Sequence, residues 1–282
     1  MIAATEQNIK KQLQLVAKER NLTPAAVWQN IICDRFLVRL CQSPYRLNFV
    51  LKGGILLAKR IDIGRETKDL DFAVEELKND VEVISRAIEE IIKIEVNDGF
   101  EFRAVKVDIM NHFHVNYPGA QIRVDVGFGQ NQFSLFIDLG FGDYLKVKEE
   151  NIALTATAKG PLFETDIKLA CTPLEFVFAE KLETVVYRGA ESSRLKDFHD
   201  LISMIESHLL DKQNTLHAVK VIFEHRSTPL KLPIEFDATS LQMLQNHWQR
   251  YRKSLSQPDS VSANIEEIIQ TINAFICLEK LL

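Results

Sequence analysis

Three segments in the middle of the chain alternate apolar and polar residues with a period of two. They are EFRAVKVDIMNHFHVNY (101–117), AQIRVDVGF (120–128) and FSLFIDLGF (133–141). Successive side chains of a strand point to opposite faces, so this spacing specifies strands with one face in a core and one outside it. Pro118-Gly119 and the group Gly127, Gly129, Gln130 separate them. Such short turn-forming breaks make an antiparallel meander, which is expected to continue through ALTATA (153–158).

Helical spacing flanks the meander on both sides. Ile9, Leu13, Leu15 and Val16 share one helical stripe. Thr23 caps a second helix with Pro24 in its first turn, and Val27, Ile31, Ile32, Phe36, Leu37 and Leu40 run along it to Ser43-Pro44. LNFVLKGG is a short apolar run closed by two glycines and DLDFAV reads as a strand, with a helix over 81–94 after them. From Pro173 onward the spacing predicts helices over 173–188, 194–210, 216–224, 241–254 and 265–281, punctuated by Pro229, Pro233 and Pro258. The fold class is therefore α+β: a lobe with a mixed, largely antiparallel sheet over 1–165, and a helical lobe over 166–282. A chain of 282 residues suits two such lobes at roughly 100–200 residues per domain.

Composition removes several classes. The chain is 46% hydrophobic and 26% charged, which excludes a disordered chain. Eleven glycines and eight prolines are too few for long linkers. No apolar run reaches the ~20 residues a membrane helix needs, and MIAATEQNIKKQ lacks the apolar core of a secretory signal. The four cysteines (Cys33, Cys41, Cys171, Cys277) form no close pair and read as buried thiols of a reducing cytoplasm. A net charge of −5 opposes non-specific nucleic-acid binding over the whole surface but leaves room for a local basic groove.

Chemistry concentrates in two places. Lys52-Gly53-Gly54 follows a short apolar run; it reads either as a plain turn or, if a helix follows over Ile55–Arg60, as a place where the backbone approaches a phosphate closely. Asp69 and Asp71 in TKDLDF share one face of a strand while Leu70 and Phe72 take the other. Such a pair is either the solvated acidic face of an edge strand or, since like charges so close repel unless a cation lies between them, a site for Mg2+, which takes oxygen ligands. A third carboxylate has two candidates, Asp125 and Asp138. Arg123 lies beside Asp125 on the same face as a ready ion-pair partner, so Asp138 is preferred. Glycine turn, basic stretch (Lys59, Arg60, Arg65) and Asp-x-Asp strand have the layout of polymerase-β-like nucleotidyltransferases.

Further along, AEKLETVVYRG is followed by SSRLKDFHDL, where Arg194 and Lys196 stand with Asp197 at a helix start. Cations are unfavourable there, which calls for an anion nearby. With LKGGILLAKR, GRETKDLDF and IDLGFGD, these segments resemble the AbiEii/AbiGii toxin family of nucleotidyltransferases from abortive-infection toxin–antitoxin systems. The resemblance spans about residues 49–201. One departure is Ile55, where the family usually carries a Thr or Ser hydroxyl after the double glycine.

The resemblance implies Mg2+-dependent transfer of a nucleoside monophosphate from an NTP to an acceptor hydroxyl, the tRNA 3′ end in relatives, with an antitoxin as partner. It also implies roles. Asp69 and Asp71 would hold metal, joined by Asp138 as the third carboxylate preferred from the strand reading, and with Lys181 and Asp200 they would carry catalysis. Lys52, Gly53, Gly54, Arg65, Thr67, Arg194, Lys196 and Asp197 would bind the nucleotide. A protein or small-molecule acceptor, or an inactive NTP- or RNA-binding module, are the alternatives. Outside these segments, His112 and His114 read as ordinary strand histidines and His199 as an orienting or packing residue. Trp248-Gln249-Arg250-Tyr251-Arg252-Lys253 could touch RNA or be a partly packed, solvated helix face.

Overall fold

The computed structural model describes residues 2–61, 63–110, 119–191 and 194–276. His112, His114, Ser193 and Cys277 lie outside the described residues. The contacts divide the chain into two units. One comprises residues 1–59 and 67–172; the other comprises 60–66 and 173–282. The short stretch between the first glycine-led helix and the Asp-x-Asp strand thus belongs with the C-terminal unit.

In the N-terminal unit, α1 (Ile2–Glu19) and α2 (Pro24–Gln42) come first. Thr23 caps α2 by accepting the Ala26 amide at 3.1 Å. The α1 stripe buries Ile9, Leu13 and Val16, whereas Leu15, 41% exposed, lies off it. Positions 9, 13 and 16 keep the three-to-four-residue step, and 15 does not. Then follow β1 (Phe49–Lys52), α3 (Gly53–Arg60), β2 (Asp69–Val74) and α4 (Val81–Ile92). The period-two segments become β3 (Phe100–Met110), β4 (Gly119–Phe128) and β5 (Asn131–Phe141), paired antiparallel in chain order. Gly129, at φ +57°, supplies the left-handed residue of the turn between β4 and β5.

Beyond β5 the expectation of a continued meander fails. The strand β6 (Lys148–Ala153) pairs instead with β9 (Asp166–Cys171) at the opposite edge, and β7 (Ala156–Thr157) with β8 (Gly160–Pro161) forms a separate ribbon. The seven-stranded order is β3-β4-β5-β2-β1-β9-β6, mixed but mostly antiparallel, with β2–β5 and β1–β9 parallel. The sequence reading missed β9 because DIKLAC is short and lies where a lobe boundary was expected. Its Leu169, Ala170 and Cys171 are buried against the sheet's centre.

One face of the sheet is filled by Leu70, Phe72, Ile122, Val124, Leu135 and Ile137, all fully buried. Phe72 meets Phe49 edge-on at 5.7 Å and Phe36 of α2 at 6.4 Å. Buried charges of α2 join this core. Asp98 accepts from Arg35 Nε at 2.6 Å and from Arg39 Nη1 and Nη2 at 2.7 and 3.0 Å; Arg35 also pairs with Glu164. Arg35 lies over Phe163 and Arg39 over Phe102. Burial alone would raise the Asp98 carboxyl, but the two guanidinium groups outweigh it and hold it below the usual range. Cys33 and Cys171 are buried thiols, and Cys41 is half-buried.

The C-terminal unit contains α5 (Leu174–Arg188), α6 (Leu195–Glu206), α7 (Lys212–His225), α8 (Ala238–Arg252) and α9 (Ile265–Ile276). The α5 helix packs on α6 and α7, while α9 packs on α6 and α8. Trp248 of α8 is fully buried and donates from Nε1 to the Ser262 carbonyl at 2.9 Å. Tyr251 packs against it at 5.5 Å and bonds His199 Nδ1 at 2.7 Å. Trp248 is therefore core and cannot stack a base, in keeping with the reading of that segment as a partly packed helix face. His199 is a packed residue whose burial depresses it to about 4, leaving it neutral at physiological pH. Among the described residues no helix is long and apolar enough to cross a membrane.

Removing the central acid of the Arg35–Asp98–Arg39 network tests how much it matters. Asp98→Ala leaves two buried cations short of their partner and should destabilise the protein by about 3–5 kcal/mol in urea unfolding. Because the folded Asp98 carboxyl lies below its unfolded value, its contribution is present above about pH 4 and disappears as pH falls through the folded value. The variant's stability should accordingly fall less steeply with acid than the wild type's.

Candidate active site

The carboxylates predicted from alternation are placed by strand register. Parallel pairing sets Asp71 of β2 opposite Asp138 of β5, and Asp69 opposite Phe136. Paired residues on neighbouring strands point to the same face about 4.8 Å apart, so Asp71 and Asp138 stand side by side. Asp69 lies one step along the same face. Leu70 and Ile137 between them enter the core, which locks the carboxylates outward. Asp125 sits opposite Ser134, four residues along β5 from Asp138, and pairs with Arg123 at 3.2 Å. It is not brought to the other acids.

Antiparallel pairing extends this row in both directions. Gln121 of β4 lies opposite Asp138 and donates to its Oδ1 at 3.0 Å. Lys52 of β1 lies opposite Asp71, and its ammonium pairs with Asp143 at 2.7 Å. Asp143, just past β5 in the quoted IDLGFGD stretch, is a site residue the sequence reading left unassigned. The close ladder of Gln121, Asp138, Asp71 and Lys52 could be found only through register.

The double glycine begins α3 against this row. Gly53 has φ +68°, and a Cβ there would fall 2.0 Å from Asp71 Oδ2. The Gly54 amide donates to the same oxygen at 3.3 Å. Only glycine satisfies both the backbone angle and this approach. Ile55, the departure from the family pattern, is buried and offers no polar group.

Among the described residues no three Asp, Glu, His or Cys side chains converge as they stand. Mg2+ does not need three: it takes one or two protein carboxylates and fills the rest of its octahedron with water and phosphate oxygens. Asp71 and Asp138, with Asp69 a step away, supply that all-oxygen set and fit the ion.

The remaining candidates lie in the C-terminal unit, apart from Thr67, which is half-buried in the loop before β2. Lys181 of α5 reaches Asp200 at 2.6 Å and Asp197 at 3.0 Å, both on α6. Arg65 donates to both Asp200 oxygens at 2.7 Å. Burial disfavours charge on Lys181, but the two carboxylates prevail and raise it above its ordinary value. Asp200, fully buried, is held low by Lys181 and Arg65 despite its desolvation. Arg194 pairs with Asp197 at 3.0 Å. Of the two cations at the start of α6, Arg194 thus has a carboxylate within its own helix. Lys196 is exposed.

Gly53→Ala compared with Gly189→Ala isolates the close approach. Both positions have positive φ, but a Cβ at Gly189 meets nothing within 4 Å. Each substitution should cost more than about 1 kcal/mol in backbone strain. Gly53→Ala alone should also displace Asp71 and weaken NTP binding in calorimetric titration.

Comparison with known proteins agrees with this architecture. The structure is similar to that of a Helicobacter pylori protein described as a nucleotidyltransferase, with a TM-score of 0.54 at 14% identity over 92% of this chain and 97% of that one. A second Helicobacter pylori structure, JHP933, has a TM-score of 0.49 at 13% identity over 92% and 94% of the two chains. No curated protein matches. The family model for "Nucleotidyl transferase AbiEii toxin, Type IV TA system" matches residues 35–271. The chain belongs to the AbiEii nucleotidyl transferase toxin family of type IV toxin–antitoxin systems.

Proposed function

We propose that this protein transfers a nucleoside monophosphate from an NTP to the 3′ hydroxyl of an RNA, with tRNA as the acceptor. In this reading it needs Mg2+ and acts in the cytoplasm as the toxin partner of an antitoxin. The observation that carries the proposal is the register of Asp71 with Asp138 beside the Gly53-Gly54 turn. Asp69, Asp71 and Asp138 would hold Mg2+, which supplies charge neutralisation of the phosphates when bound.

The chain's own groups divide the remaining work. Gly53 and Gly54 let phosphate oxygens approach the backbone at the start of α3. Lys52, held by Asp143, places a cation in the same row. The acceptor oxygen attacks the α-phosphorus, the bond to the bridging oxygen breaks and pyrophosphate leaves. Asp138, oriented by Gln121 through one oxygen, takes the hydroxyl proton. In the C-terminal unit, Asp200 and Asp197 keep Lys181 protonated, and Lys196 and Arg194 add exposed positive charge. Catalysis is then chiefly positioning and electrostatic stabilisation.

Incubation with Mg2+, each labelled NTP in turn and total tRNA tests this directly. The wild type should label tRNA with a preferred nucleotide, and Asp71→Ala should lower the rate by at least about 100-fold while retaining the wild-type circular dichroism spectrum. Label on tRNA from both proteins alike would refute the site. Label on a protein or small molecule instead would move the acceptor and keep the chemistry.

A further inference from the structure

The exposed face of β3–β5 carries an aromatic residue where alternation calls for a polar one. On that face of β5 stand Gln132, Ser134, Phe136, Asp138 and Gly140. Phe136 remains 37% exposed. It lies opposite Asp69 on one side and Arg123 on the other, one step from the Asp71–Asp138 pair. Arg123 in turn lies opposite Lys106 of β3. A single row thus runs from the carboxylates through an open ring to two cations.

Strand order gives this row a direction. The glycine turn and Lys52 belong to the β1 side of Asp71, whereas Phe136, Arg123 and Lys106 extend from its β5 side toward the sheet edge. A donor triphosphate at the glycines leaves the β5 side for the acceptor. We propose that this strip binds the unpaired 3′-terminal nucleotides of the acceptor RNA, with Phe136 stacking on the terminal base and Arg123 and Lys106 meeting the phosphates that follow. Bases of any identity stack on an aromatic ring, and cations beside it track the backbone.

The cations have intramolecular partners. Arg123 pairs with Asp125 at 3.2 Å and Lys106 with Asp108 at 3.0 Å, and all four side chains are about half exposed or more. Pairs so open to water contribute little, so either cation can exchange its carboxylate for a phosphate at small cost. Asp125 and Asp108 also limit the strip's net charge, which suits a few terminal nucleotides better than a long duplex.

The inference rests on nucleotidyl transfer at Asp71 and Asp138, and its test separates the two. A short single-stranded RNA with a free 3′ hydroxyl and a fluorescent 5′ label serves as probe. Its binding is read by anisotropy, and the KM values for RNA and NTP are read in the transfer assay. Phe136→Ala should weaken RNA binding by roughly 5- to 150-fold, the range of one lost stack, and Phe136→Trp should restore it. Arg123→Ala should weaken it less and reduce its salt dependence. The loss should fall on the KM for RNA and not on that for NTP. Unchanged RNA binding by Phe136→Ala overturns the strip while leaving transfer intact. A shift in the KM for NTP overturns it too, by assigning the ring to the donor base. Wild type that turns over NTP but binds no RNA overturns the strip and the RNA acceptor together, without touching the metal site.

Discussion

Two carboxylates set side by side on one face of a sheet repel each other, and the rest of the N-terminal unit is arranged to keep Asp71 and Asp138 there. Their positions follow from the parallel register of β2 and β5, and that register follows from burial. Leu70, Phe72, Leu135 and Ile137 are fully buried on the opposite face. Sliding either strand by one residue would turn these side chains outward and the acids inward, at a cost of about 1.5–3 kcal/mol for each large apolar group exposed. The hydrophobic core thus fixes the acidic pair, and a cation between the two acids would relieve the strain of their charge.

The same principle separates the charges that could do chemistry from those that hold the fold. Asp98 has two guanidinium groups on it and is almost inaccessible; it has no capacity left for a ligand. Asp200, between Arg65 and Lys181, is likewise saturated and fully buried. Asp69, Asp71 and Asp138 keep solvent access. Lys181 stands between these cases, since its carboxylate partners also guarantee its charge.

Much of this was legible in the sequence. Period two gave β3, β4 and β5, the Thr23-Pro24 start gave α2, and the alternation in DLDF put Asp69 and Asp71 on one face. The segments LKGGILLAKR, DLDF and SSRLKDFHDL were enough to suggest the family to which the chain belongs. What remained hidden was non-local. Nothing in DIKLAC or KEENIA says that β9 lies beside β1 or that β6 closes that edge, because strand order is set by which faces bury together. The seating of Asp71 against Gly53, the Lys52–Asp143 pair and the Gln121 bond to Asp138 likewise depend on register between segments far apart in the chain. The aromatic residues of α8 left two readings open because a composition suited to RNA is equally suited to a core; Trp248 is wholly buried.

In the proposed site, Asp71 and Asp138 act as one oxygen-ligand centre. Mn2+ can stand in for Mg2+ and be followed by electron paramagnetic resonance during titration, with and without NTP, in the wild type and in Asp138→Asn. If the two acids act so, the wild type takes up Mn2+ in an NTP-dependent manner and the variant binds it at least about tenfold more weakly. Equal uptake by both proteins would contradict this reading, because the register that pairs these two residues would then have no bearing on metal binding.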